Sequence, residues 1–222
     1  MPAASSPGAT ALPPAAEPPG RSAHRPVAAA AAALALLLFA GATGAAAPEE
    51  RDDPALRAAL ASAVTGDAAS DTAADARPAD DPWVTDMTTR LARRVSDPAE
   101  RSAIVRHVRT EASRAGLPPE LVLAVIDVES GFQRYAVSRA NAQGLMQVMR
   151  FWLAEFDLPG TALFDVQLNI RMGCTILRHY YDLERGNWTR ALGRYNGSLG
   201  RRDYPARVFE RLRTSWSRRP GP

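Results

Sequence analysis

A mainly α-helical (all-α) domain is predicted for the second part of this chain, on three observations. From Trp83 onward apolar residues recur at three- and four-residue spacing, the period of an amphipathic helix. Asp, Asn, Pro and Gly stand at the ends of those runs, where helices start and stop. No stretch shows convincing strand alternation, and no internal repeat is present.

The elements follow in order. Residues 1–26 are rich in Pro, Ala, Ser and Gly, with Arg21, His24 and Arg25 just ahead of the run VAAAAAALALLLFAGATGAAA. A basic start, an apolar middle and a small-residue tail read as a signal peptide over residues 1–47, with an uncleaved N-terminal anchor as the alternative. The alanine-rich middle is a weak membrane former and favours cleavage. Either reading exports the remainder to the periplasm or cell envelope. Residues 48–82 are acidic, Ala-rich and almost free of aromatics, and read as a disordered linker. Residues 83–222 are the folded domain.

Within that domain Val84, Met87, Leu91 and Val95 share a helical face. Asp97-Pro98-Ala99-Glu100 supplies an N-cap, a proline at the first helical position and a capping-box glutamate. The helix that follows carries Ile104, Val105, Val108 and Ala112 and ends at Gly116; Pro118-Pro119 open the next, which leads to Glu129. Leu145, Val148, Trp152 and Leu153 predict a helix from Gly144 to Phe156. Asp165 caps a longer one with Leu168, Ile170, Cys174, Leu177 and Tyr181, stopped near Gly186. Asn187 caps a short helix holding Trp188, Ala191, Leu192 and Tyr195, and the last runs from about Pro205 through Val208, Phe209 and Leu212.

Composition narrows the function. The net charge of +3 hides an asymmetry: five Arg face ten acids before Trp83, and 22 Arg face 14 acids from there on. A basic domain prefers anionic surroundings such as nucleic acid, lipid or cell wall. Nucleic acid is set aside, because the arginines are scattered without an aromatic platform and the leader exports the chain. Cys174 is the single cysteine and lies in an apolar helical stripe, so no disulfide is predicted and the thiol reads as a small core group. Three dispersed histidines (24, 107 and 179) support no metal site.

The stretch LVLAVIDVESGFQRY (121–135) ends an apolar helix on a carboxylate, Glu129. It is either a hydrated helix end or a general acid in a partly dry pocket. Ser138, Gly144-Leu145-Met146-Gln147-Val148-Met149 and Tyr195-Asn196-Gly197 follow in order. This ordered set resembles the soluble lytic transglycosylase family, whose catalytic domain is similar to goose-type lysozyme; the match covers roughly residues 101–213. Each motif alone is weak.

The resemblance implies a lysozyme-like fold with a groove. It also implies cleavage of peptidoglycan between N-acetylmuramic acid and N-acetylglucosamine, leaving a 1,6-anhydromuramoyl end. No cofactor is implied, and a monomer is expected. Glu129 takes the place of the single acid/base. Ser138, Gln147, Met149, Tyr195 and Asn196 match glycan-contacting positions, and Tyr195 is expected to orient the carboxyl through its hydroxyl. A core aromatic at Tyr195, a core methionine at Met149 and a turn former at Asn196 are the plainer readings. Ser130, Phe132, Gly144 and Met146 support the site, Ser130 mainly through helix-end hydrogen bonds. Asp127, two positions from Glu129, should face elsewhere in a surface or helix-end interaction. Asn141 stands for a common glycine, Arg150 for a common proline and Arg194 for a small residue. The alternatives are a hydrolytic muramidase and a wall-binding module without turnover.

Overall fold

The computed structural model describes residues 52–66 and 81–217. The predicted leader lies outside them, as does most of the predicted linker. Eight α-helices are present among the described residues: α1 (Pro54–Thr65), α2 (Pro82–Leu91), α3 (Pro98–Arg114), α4 (Pro119–Glu129), α5 (Phe151–Glu155), α6 (Val166–Leu183), α7 (Trp188–Tyr195) and α8 (Asp203–Arg211). A single turn of 3-10 helix (Ala162–Phe164) precedes α6, and a π turn (Leu212–Trp216) prolongs α8.

The helix at the centre is α4. Leu121 to Asp127 are all buried, so the helix is covered on every side, as an all-round apolar helix must be. It packs on α3, on α8 and on the π turn. The longest helix, α6, packs on α1, α3 and α7. Its cap is as predicted, with the Asp165 carboxylate accepting from Leu168 N at 2.8 Å. Gly116 closes α3 in the left-handed conformation (φ 64°).

Three expectations are corrected. Residues 54–65, assigned to a disordered linker, form α1. Asp53 caps it by accepting from Ala55 N and Leu56 N, both at 3.0 Å. Leu56 and Leu60, four apart, are completely buried. Two further ties hold the helix: Asp53 pairs with His179 Nε2 at 2.7 Å, and Arg171 Nη1 donates to Gly66 O at 3.2 Å. Composition pointed to disorder because the apolar surface that receives these leucines belongs to α6, over a hundred residues away in sequence.

The continuous helix predicted from Gly144 to Phe156 is instead a turn and a two-stranded ladder followed by α5. β1 (Ala142–Gln143) pairs antiparallel with β2 (Val148–Met149), Ala142 opposite Met149. Gly144 (φ 80°) and Gln147 (φ 51°) adopt left-handed conformations that no α-helix admits. The third correction concerns the last helix, which begins at Asp203 rather than about Pro205. That shift brings Tyr204 inside the helix and into the core, where it is 2% exposed.

Truncating Leu60 to Ala should lower the unfolding free energy by roughly 2–4 kcal/mol, the usual cost of emptying a buried leucine site. Denaturant unfolding of the full chain measures this; an unchanged midpoint would return residues 54–65 to the linker.

Candidate active site

Glu129 is the last residue of α4, and the geometry around it explains how an acid can sit there. Ser130 caps the helix with its backbone N–H on Ile126 O. Its hydroxyl, fully buried, donates across to Leu145 O at 2.8 Å and accepts from Phe132 N at 3.2 Å. The helix end is thereby fixed to the segment that carries Gly144, Met146 and Gln147. Phe132 takes a positive φ of 68° in this turn, unusual for a bulky residue, and is held there by burial against Trp216, 5.2 Å between ring centres.

The turn between β1 and β2 is built around a residue that the sequence analysis did not select. The buried Asn169 of α6 donates from Nδ2 to Gln143 O and to Leu163 O, both at 2.9 Å. Its Oδ1 accepts from Met146 N at 2.7 Å. These bonds substitute for helical ones and are the reason the segment is not a helix. Gly144 is required by the same arrangement, since a Cβ there would lie 2.3 Å from Asn169 Nδ2 and from Leu163 O. Gly173 plays the matching part on α6, where a Cβ would meet the Met146 sulfur at 2.5 Å. Gln147 folds back, its amide nitrogen donating to Gly144 O at 2.9 Å.

The Tyr195 hydroxyl, expected to orient Glu129, bonds the turn that carries Met146. The Tyr195 hydroxyl donates to Met146 O at 2.8 Å, and a phenol has one proton to give. The hydroxyl on the acid is that of Tyr204, which donates to Glu129 Oε1 at 2.5 Å. Tyr204 was missed because the helix was started one residue beyond it. The signal was present: Tyr204, Val208 and Leu212 stand at four-residue spacing along one helical stripe.

Asp127 is also corrected. It is not at the surface: its side chain is 1% exposed, with Oδ1 2.8 Å from Arg94 Nη1 as a charge contact outside hydrogen-bond alignment. Trp216 Nε1 donates to Oδ2 at 3.0 Å. This carboxylate joins the segment after α2 and the π turn to the central helix, and it is committed to those partners.

The remaining candidates are placed as follows. Ser138 Oγ accepts from Ala142 N at 3.0 Å and so shapes the turn leading to β1. Asn141 takes a φ of 64°, which an asparagine tolerates where glycine is common. Arg150 donates its backbone N–H to Asn141 O at 3.2 Å, a bond that proline lacks. Arg194 pairs with Glu184. Met149 is partly buried against the core. Asn196 caps α7 and accepts from Ser198 Oγ at 3.1 Å. Cys174 is buried, and burial pushes its thiol pKa further up, away from reactivity.

Burial raises the Glu129 carboxyl from 4.5 to about 7; the Tyr204 hydrogen bond and the positive charge of Arg207 pull the other way without cancelling it. Tyr204 in turn is held well above its ordinary value by burial and by the neighbouring carboxylate, so it stays a donor. A half-buried carboxyl poised near neutrality beside a fixed hydroxyl can give up a proton and take one back.

Residues 106–212 match the family model described as the Transglycosylase SLT domain. The chain carries an SLT domain. Two curated relatives, both named membrane-bound lytic murein transglycosylase C, come from Yersinia pestis and Yersinia pseudotuberculosis. Each is 36% identical over a stretch that covers 42% of this chain and 30% of the relative. The chain thus matches less than a third of the length of these relatives. A solved structure of an inactive mutant of lytic transglycosylase Slt from Pseudomonas aeruginosa overlays with a TM-score of 0.39 at 25% identity, over 64% of this chain and 26% of that one.

Two outcomes are expected from the site's electrostatics. A carboxyl raised from 4.5 to about 7 favours the fold when protonated, so its contribution is fully present below pH 4.5 and is lost as pH rises through about 7. At about 1.4 kcal/mol per tenfold change in proton affinity, Glu129→Gln should be more stable than wild type by up to about 3 kcal/mol at pH 8. That advantage should vanish below pH 4.5, where both side chains are neutral, as denaturant melts at the two pH values will show. Tyr204→Phe removes a donor that favours the charged form and should move the Glu129 titration, followed by carboxyl NMR, above about 7.

Proposed function

We propose that this SLT domain is a peptidoglycan lytic transglycosylase. On this reading it cleaves the β-1,4 bond between N-acetylmuramic acid and N-acetylglucosamine and leaves a 1,6-anhydromuramoyl end. The observation that carries the reading is the Glu129 carboxyl, half-buried at the end of α4, raised to about 7 and gripped by Tyr204. The SLT match and the names of the relatives support it.

The chemistry follows from one carboxyl. Ordinary glycoside hydrolysis uses a second carboxylate as nucleophile or base. Asp127 is unsuited to that role, being buried on Arg94 and Trp216. The substrate then supplies the missing group. The acetamido oxygen of muramic acid attacks its own anomeric carbon while Glu129 protonates the departing oxygen, as substrate-assisted glycosidases do. The ionised Glu129 next takes the proton of the sugar's 6-hydroxyl. That oxygen closes on the anomeric carbon and expels the acetamido oxygen, which regenerates both catalyst and acetamide. No water is consumed.

The exported envelope location, the monomeric state and the choice between a cleaved signal and an anchor belong to the same proposal. So do glycan contacts at Ser138, Gln147, Met149 and Asn196. The named relatives are membrane-bound by name, which agrees with an envelope setting.

Glu129→Gln should remove at least about 10⁴-fold of the turnover, the upper end for general acid–base catalysis, because one residue performs both proton transfers. Asp127→Asn should weaken the fold by roughly 1–3 kcal/mol through Arg94 and Trp216 while folded molecules keep turning over. Mass spectrometry of fragments released from purified peptidoglycan reads the product. Anhydro ends support the transglycosylase, whereas reducing muramic ends, one water heavier, would establish a hydrolase.

A further inference from the structure

The mechanism leaves Arg207 without a task. It stands in the second turn of α8, three residues beyond Tyr204, with its guanidinium carbon 5.8 Å from the Tyr204 ring centre. Arg201, Asp203, Tyr204 and Arg207 line one cleft together with Asn196 and Ser198. Tyr204 belongs to this lining and donates its hydroxyl to Glu129, which links the cleft to the acid through one side chain.

The charges in this cleft are unequal. Asp203 is already matched by Arg201 at 3.0 Å. Arg207 makes no ion pair among the described residues, so the lining presents one unmatched cation. An exposed guanidinium next to a general acid is at odds with that acid's need to hold a proton, since a positive charge favours carboxylate. A substrate that brings its own anion to the cation removes the conflict. A guanidinium also suits a carboxylate in shape, with two parallel N–H groups for two oxygens.

We propose that this cleft is an anion subsite in which Arg207 takes a carboxylate carried by the muramoyl residue. The inference rests on the peptidoglycan reading above and deepens it. Two sources share the chemistry: the lactyl carboxylate of a peptide-free muramic acid, and a carboxylate on its stem peptide, where the lactyl group is tied up as an amide. Asn196 and Ser198 supply the neutral polar part of the lining. Substrate charge is then sensed next to the scissile bond, and neutralising Arg207 removes its pull on the Glu129 proton.

The test separates binding from turnover. Calorimetry on the full chain carrying Glu129→Gln compares three probes: peptide-free glycan strands, the same strands with their lactyl carboxyls converted to N-methylamides, and strands bearing stem peptides. Amidation should weaken binding about tenfold, the loss expected for one charge-assisted hydrogen bond. With Arg207→Gln added, the amidated and free strands should bind alike. Arg106→Gln, an exposed arginine on α3, is the control for general charge and should keep the discrimination.

Tighter binding of peptide-free strands assigns the lactyl carboxylate. Tighter binding of stem-bearing strands, again lost with Arg207→Gln, assigns the peptide. The proposal is overturned if neither amidation nor the stem peptide changes binding, or if their effects are the same with and without Arg207. Wild-type product analysis runs alongside. Absent turnover with Arg207-dependent binding would sink the enzymatic reading and leave the subsite standing; turnover without Arg207 dependence would do the reverse.

Discussion

A carboxyl group at the end of α4 stays protonated near neutrality only while water is kept from it, and much of the domain serves that condition. The central helix is covered all round as far as Asp127, so the chain reaches Glu129 half-buried at the edge of the core. Burial raises the acid, and the two neighbours that favour its charged form, Tyr204 and Arg207, only moderate the effect. The balance matters. A carboxyl with no polar partner would be too weak an acid to give up its proton, and one with a full set of donors would never hold it.

That placement needs a rigid frame, and the frame is made of hydrogen bonds between elements distant in sequence. Ser130 ties the end of α4 to Leu145 O, Asn169 ties the same segment to α6, and Tyr195 ties Met146 O to α7. The three helices therefore hold one short irregular segment opposite the acid. Left-handed residues at Phe132, Gly144 and Gln147 cluster there. Non-glycine residues in such conformations cost about 1–3 kcal/mol each and persist where the surroundings fix them, which is common around active sites.

The two carboxylates of the IDVE stretch illustrate how neighbouring identical chemistry is given separate work. Asp127 is paired with Arg94 and bonded by Trp216, and it holds the C-terminal π turn onto the central helix. Glu129, two residues on, is bonded by a phenol and feels the charge of Arg207 without an ion pair at contact distance among the described residues. Asp127 is buried and Glu129 half-buried, but only the second lacks an ion pair at contact distance among the described residues, so the first is structural and the second is available for proton transfer.

The sequence by itself determined the helical class, most helix boundaries, the ordered motif set and Glu129 as the candidate acid. These are local quantities: apolar period, capping residues and spacing along the chain. Helix α1, the turn around Gly144, the burial of Asp127 and the Tyr204 hydroxyl on Glu129 were decided by tertiary structure. In each of them a residue's partner is supplied by an element far away in sequence. Leu56 and Leu60 bury their face against α6, Asn169 redirects the backbone of residues 143–146, and Arg94 and Trp216 enclose Asp127. A tyrosine's helical stripe was legible from Tyr204, Val208 and Leu212, but its hydroxyl's target was not. Which phenol reaches an acid 75 residues away depends on how α8 crosses α4, and only packing sets that.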